Sequence, residues 1–158
     1  MASTVYTKGI LRIINGTTNW TSGSFKVMLC DASYTPDPDH QFVSSITGVG
    51  GEISGVTGYT GGFGGSGRLA LTTIAPAEDA TNDLIKFDAD DVLWSSLGPE
   101  VVTVTGCAVI QEVTSDADSP LIAYLDFTDK DTGDGAGGAA PFPVNWGGNG
   151  VFQADMSP

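Results

Sequence analysis

Val101-Val102-Thr103-Val104-Thr105-Gly106-Cys107-Ala108-Val109-Ile110-Gln111-Glu112 carries the clearest periodic signal in the chain. Val102, Val104, Ala108 and Ile110 alternate with Thr103, Thr105 and Gln111, the period of two that turns successive side chains to opposite faces of a β-strand. Residues 120–127 behave alike: Leu121, Ala123, Leu125 and Phe127 alternate with Ile122, Tyr124 and Asp126. Both sets are largely apolar, so this strand reads as central, covered on each face.

Shorter strand signals flank these two, at 24–30, 68–74, 83–87, 91–94, 143–146 and 150–153. Phe25, Val27 and Leu29 would share one face of the first. Short strands with turn signals every ten residues or so predict an all-β fold, a β-sandwich or a jelly-roll-like barrel, in a single domain over 1–158. Glycine fits that picture: 22 in 158 residues is about twice the usual share. Residues 5–15 depart from it, because Ile10, Ile13 and Ile14 fall at helical spacing. A short helix ending at Asn15-Gly16 is expected there, with a strand as the alternative that the β-branched residues leave open. Pro36 and Pro38 make 34–39 an irregular loop, and one helical turn is expected at 40–45. The glycine-rich stretch 48–67 reads as a flexible extended arm or long hairpin, too polar to be core, and 154–158 as a short tail.

Charge is unevenly placed. Through Arg68 there are four basic residues (Lys8, Arg12, Lys26, Arg68) and four acidic ones (Asp31, Asp37, Asp39, Glu52). Beyond it, Lys86 and Lys130 face fifteen carboxylates, so the whole net charge of −13 lies in the second part. That half would repel a polyanion, and no Lys/Arg cluster offers phosphate contacts, which argues against nucleic acid as a partner. No segment approaches the roughly 18 apolar residues needed to span a membrane. The first residues lack the pattern of a signal peptide, and assembly in a cytoplasm is the expectation.

Chemical motifs are sparse. Gly64-Gly65-Ser66-Gly67 approaches a nucleophile elbow and breaks at Arg68; the same stretch lacks the Gly-Lys-Ser/Thr ending of a phosphate loop. His40 is the one histidine and sits in a Pro/Asp-rich loop, where solvent exposure or a local cap is the expected role. Asp129, Asp131 and Asp134 resemble a calcium loop in their alternation, yet Gly133 and Ala140 stand where the fifth and twelfth ligands belong. A solvated turn is the expectation there, with weak cation binding as the alternative, and no cofactor is expected. Cys30 and Cys107 each lie in an apolar run and read as buried free thiols, a bridge requiring their strands to be neighbours. Trp20, Trp94 and Trp146 could stack on sugar rings if exposed; strand-end core positions are the plainer reading of the last two.

Three segments carry a resemblance: Gly58-Tyr59-Thr60-Gly61-Gly62, then 118–127 (Asp-Ser-Pro-Leu-Ile-Ala-Tyr-Leu-Asp-Phe), then Val144-Asn145-Trp146 leading to Gly150-Val151-Phe152. In this order, over residues 5–152, the chain resembles small virion proteins of tailed bacteriophages. The resemblance implies assembly rather than catalysis, with no catalytic positions to carry over. An acidic surface suits the outside of a shell better than packaged DNA. The expectation is therefore a decoration or cement protein in the virion, a homo-oligomer (a trimer) seated on the major capsid protein at capsomer junctions. Tyr59, Gly61, Gly62, Phe63 and Gly64 of the arm would make the contact, with aromatic anchors and glycines that allow close approach. A tail, baseplate or fibre component, or a carbohydrate-binding receptor module, are the alternatives.

Overall fold

The computed structural model describes residues 3–134 and 136–155. In chain order its elements are β1 (Thr4–Val5), α1 (Thr7–Ile14), β2 (Phe25–Cys30), α2 (Ser44–Thr47), β3 (Leu69–Ala70), β4 (Ala75–Asp79), β5 (Leu84–Asp88), β6 (Val92–Leu97), β7 (Thr103–Gln111), β8 (Leu121–Asp131), β9 (Ala140–Val144) and β10 (Phe152–Asp155). A single 3-10 turn at Gly147–Asn149 precedes β10. The fold is all-β and sandwich-like, as the alternating segments predict. All pairings within its sheets are antiparallel.

The two strongest sequence signals form the centre. A five-stranded sheet runs β1-β8-β7-β2-β3, so β8 is flanked on both sides, as its double apolar pattern requires. One face of this sheet presents Phe25, Val27, Leu29, Cys107, Val109 and Ala123 to a large core completed by Val92, Trp94, Phe142, Val144 and Phe152 of the smaller sheets β6-β9 and β10-β5-β4. The opposite face presents Met28, Cys30, Ala108, Ile110 and Tyr124 to a second core, roofed by Tyr34, Val43 and Ile46. Both faces are covered, which removes the polar alternation a solvated sheet would show. A β-bulge helps fill the first core: Val109 pairs with Ala123 but Ile110 with Leu121, and the extra residue, Ile122, joins Ala123 on that side.

The same register settles the cysteines. Their strands are neighbours, yet Cys107 pairs with Leu29 and Cys30 with Gly106. One step of offset puts the sulfurs on opposite faces of the sheet, and both are free buried thiols.

Residues 7–14 take the helical option, with Asn15 as C-cap and Gly16 at φ +75°, where a side chain would be strained. Ile10 and Ile13 turn inward, and Gly9 lies against β8 so closely that a Cβ there would sit 2.2 Å from the Leu121 carbonyl oxygen.

Several expectations change. The helical turn forms at Ser44–Thr47 rather than 40–45. The 68–74 strand shrinks to β3, and pairing resumes in β4, whose Ala-Pro-Ala-Glu-Asp sequence has no apolar alternation because it is an exposed sheet edge. Ala154 and Asp155 of the expected tail belong to β10; the remainder of the tail, and Gly135, lie outside the described residues. The largest correction concerns 48–67. It is not an arm standing off the domain: Ile53, Val56 and Tyr59 are part of the first core, and Cys30 bridges to Glu52. Glycines are frequent there because the chain turns sharply while staying in contact. A Cβ on Gly51 would meet the Tyr34 Cβ at 2.4 Å, and one on Gly58 the Ser96 carbonyl oxygen at 2.3 Å.

Candidate functional site

Within that packed stretch, residues 60–67 form a tight loop over a buried charge cluster. Gly62 and Gly64 have φ of +86° and +71°, and backbone hydrogen bonds from Gly65 to Gly62 (3.0 Å) and from Gly67 to Thr60 (3.1 Å) close the turn. Trp94 ties down its far end, its indole N–H donating to the Gly67 carbonyl at 2.6 Å.

Arg68 follows the loop and turns its side chain inward, with no exposure to solvent. Its Nε and Nη2 donate to Glu52 Oε1 and Oε2 at 2.8 and 2.6 Å, and Nη1 and Nη2 donate to Asp116 at 2.6 and 3.1 Å. The planar guanidinium is the one side chain able to serve two carboxylates in this forked way. Glu112 completes the cluster, 3.9 Å from Arg68 Nη1 through Oε2 and accepting from Lys26 Nζ at 3.0 Å through Oε1. Burial alone would lower the basicity of Arg68, but the hydrogen bonds and charges of Glu52 and Asp116 outweigh it and raise its pKa above the ordinary arginine value.

Two of these carboxylates also grip the loop. Gly62 N–H donates to Glu52 Oε2 at 3.0 Å, and Gly64 N–H to Glu112 Oε1 at 3.1 Å. Phe63 stands between the two clamped amides, and its side chain is directed outward, leaving the residue 45% exposed. An aromatic ring held on a fixed backbone loses little conformational freedom when a partner covers it.

The expected contact residues therefore divide. Phe63 is displayed, with Gly62 and Gly64 shaping and anchoring its loop; Gly61 packs on the Glu52 carboxylate, where a Cβ would lie 3.1 Å from Cδ. Tyr59 is not a surface anchor. It is 3% exposed, accepts the Leu29 N–H at 3.0 Å and donates to Glu52 Oε1 at 3.0 Å. Burial, then the Glu52 charge, raises its pKa and keeps the phenol neutral. Glu52, Glu112 and Asp116 lie 16 to 48 positions from Arg68 along the chain, so the sequence does not show the four as a group. The only hint was an arginine standing directly between a glycine run and a strand.

Other candidate positions are turned to structure. Asp134 accepts the Gly138 and Ala136 amides at 2.7 and 2.8 Å, which lowers its pKa, and Asp131 accepts from the Thr103 hydroxyl. Among the described residues, no three Asp, Glu, His or Cys side chains converge as metal ligands. His40 places Nδ1 2.9 Å from the Tyr34 hydroxyl, which in turn lies 2.7 Å from that of Tyr6. All three tryptophans are buried, so none offers a ring to a sugar. Trp146 donates to the Asp90 carbonyl at 2.8 Å, and Trp20 meets Phe87 and Phe152 edge to face. The chain matches no protein-family model, no curated protein and no solved structure.

Proposed function

We propose that this protein is a non-enzymatic structural component of a tailed-phage particle, a decoration protein that docks on the outer face of the capsid through the Phe63 loop. The observation that carries the reading is the exposed ring of Phe63 between two amides clamped by buried carboxylates. A catalytic loop gathers reactive groups; this one spends its charged groups on holding an apolar anchor still. The net charge of −13 suits a face turned to solvent, away from packaged DNA.

The test is to add the purified protein to capsids that lack it and locate it by cryo-electron microscopy. Regular density over the shell with the Phe63 loop at the contact is the expected result. Phe63→Ser should weaken capsid binding by about thirtyfold or more, the loss typical of a central interface anchor (about 2 kcal/mol or more), without changing the fold. Density confined to the tail would assign the protein there instead, and undiminished binding by Phe63→Ser would remove the loop's role.

A further inference from the structure

Two surfaces apart from the Phe63 loop are complementary to one another. The first is the outer side of α1. Leu11 and Ile14, three residues apart and so neighbours on the helix surface, are 54% and 77% exposed, and exposed Lys8 continues the same stripe one turn earlier. Single exposed aliphatic residues are ordinary; two on one stripe beside a cation form a patch. Arg12 flanks it, with its guanidinium 5.4 Å from the centre of the Phe42 ring. Among the described residues, Lys26, Arg68 and Lys86 are engaged in ion pairs, whereas Lys8, Arg12 and Lys130 are in none, Lys130 lying over the Phe142 ring. On a strongly acidic protein, this helix presents a basic and apolar face.

The second surface is the β4–β5 hairpin. A concavity of about 690 Å³ is lined by Pro76, Ala77, Leu84 and Ile85, with Glu78, Asp79 and Asp83 around them. Among the described residues, only Asp79 of these carboxylates has a cation beside it, Lys86 at 2.9 Å. Glu78 and Asp83 are exposed, as are Pro76 and Ile85. The groove is acidic and apolar, the counterpart of the helix face.

We infer that α1 of one copy docks in the β4–β5 groove of a second copy, with Leu11 and Ile14 covering Pro76 and Ile85, and Lys8 and Arg12 meeting Glu78 and Asp83. Apolar contact would supply the affinity and opposite charge the orientation and encounter rate. The two faces are also neighbours within one protomer, since Ile13 and Gly16 at the end of α1 border the same hollow as Pro76 and Phe87. A symmetric assembly can therefore use both faces of every copy and close on itself. This self-association is independent of where in a particle the protein sits.

Light scattering and sedimentation velocity on the purified chain test it. The mass should exceed the 16.2 kDa of one chain and rise with concentration. It should fall only in part in about 0.5 M salt, which screens the exposed charges and leaves the apolar contact in place. Ile14→Glu and Glu78→Lys should each weaken association at least tenfold with unchanged circular dichroism, both side chains being exposed. Mixing Lys8→Glu chains with Glu78→Lys chains should restore assembly by exchanging the charges across one contact. A native chain that stays monomeric at all concentrations, or an assembly indifferent to both single variants, would overturn the inference.

Discussion

Arg68 and Glu52 form a two-pronged pair, Nε to Oε1 at 2.8 Å and Nη2 to Oε2 at 2.6 Å, in the protein interior. The same carboxylate accepts from the Tyr59 hydroxyl and from the Gly62 amide. Through those four bonds one side chain joins the first core, the charge cluster and the displayed loop, so loop geometry and core stability are coupled.

Arg68→Met tests that coupling. The substitution leaves Glu52 and Asp116 without their cation, and stranding buried charges costs about 3–5 kcal/mol. Urea denaturation should show a loss of that size. Arg68→Lys should recover only part of it, because an ammonium cannot reproduce the fork. A loss below ~1 kcal/mol for Arg68→Met would mean that the cluster adds little to the folded state.

Gly9→Ala reverses an ordinary rule. In an exposed helix interior, alanine in place of glycine stabilises by about 1 kcal/mol. Here the added Cβ would lie 2.2 Å from the Leu121 carbonyl and 3.0 Å from the Ile122 Cα, both of them backbone atoms that cannot swing aside. The helix must lift from β8, and the variant should be destabilised by about 1–3 kcal/mol in thermal or urea melts.

Alkaline pH should unfold the protein. Burial pushes the Cys107 thiol up to about 12 and the Tyr34 phenol up to about 12; Cys30, Tyr6, Tyr59 and Tyr124 are raised as well. In the unfolded chain such thiols and phenols ionise near about 8.5 and 10. The folded state keeps protons that the unfolded state gives up. Stability is therefore complete below about pH 8.5 and is lost as pH rises toward about 12. On the acid side the sign is opposite. Hydrogen bonds from Lys86 and Asn82 hold Asp79 down to about 2, so its contribution is present above about pH 4 and fades as pH falls toward 2. That group lies at the surface, and melting temperatures measured across pH should show a shallower acid limb than alkaline limb.

The sheet was legible because its strands carry their own periodicity. β7 and β8 bury both faces; the Leu, Ile and Ala run of β8 says so by itself, whereas β7 reads as half-polar because Thr103, Thr105 and Gln111 alternate with its apolar residues. α1 was legible from Ile10 and Ile13 and the Asn15-Gly16 stop, although Ile14, expected on the same face, is 77% exposed. Residues 48–67 were not, because glycine has two opposite uses. It frees a chain in solvent and it lets a chain pass within contact distance of another, and composition cannot separate the two. What separates them is the partner: Tyr34 beside Gly51, Ser96 beside Gly58, Glu52 beside Gly61. The charge cluster stayed hidden for the same reason. An arginine with a carboxylate 48 residues away looks, in sequence, like any surface charge.

The central sheet sorts the aromatic side chains by face. Trp20, Trp94 and Trp146 all lie in the core on one side, and Tyr6, Tyr34 and Tyr124 in the core on the other. Indole emission thus reports the layer held by the smaller sheets, while phenol absorbance chiefly reports the layer roofed by 34–46, with Tyr59 the one tyrosine on the indole side. The molecule carries a separate optical label in each half of its interior, and whether the two halves come apart together can be read without modifying a single residue.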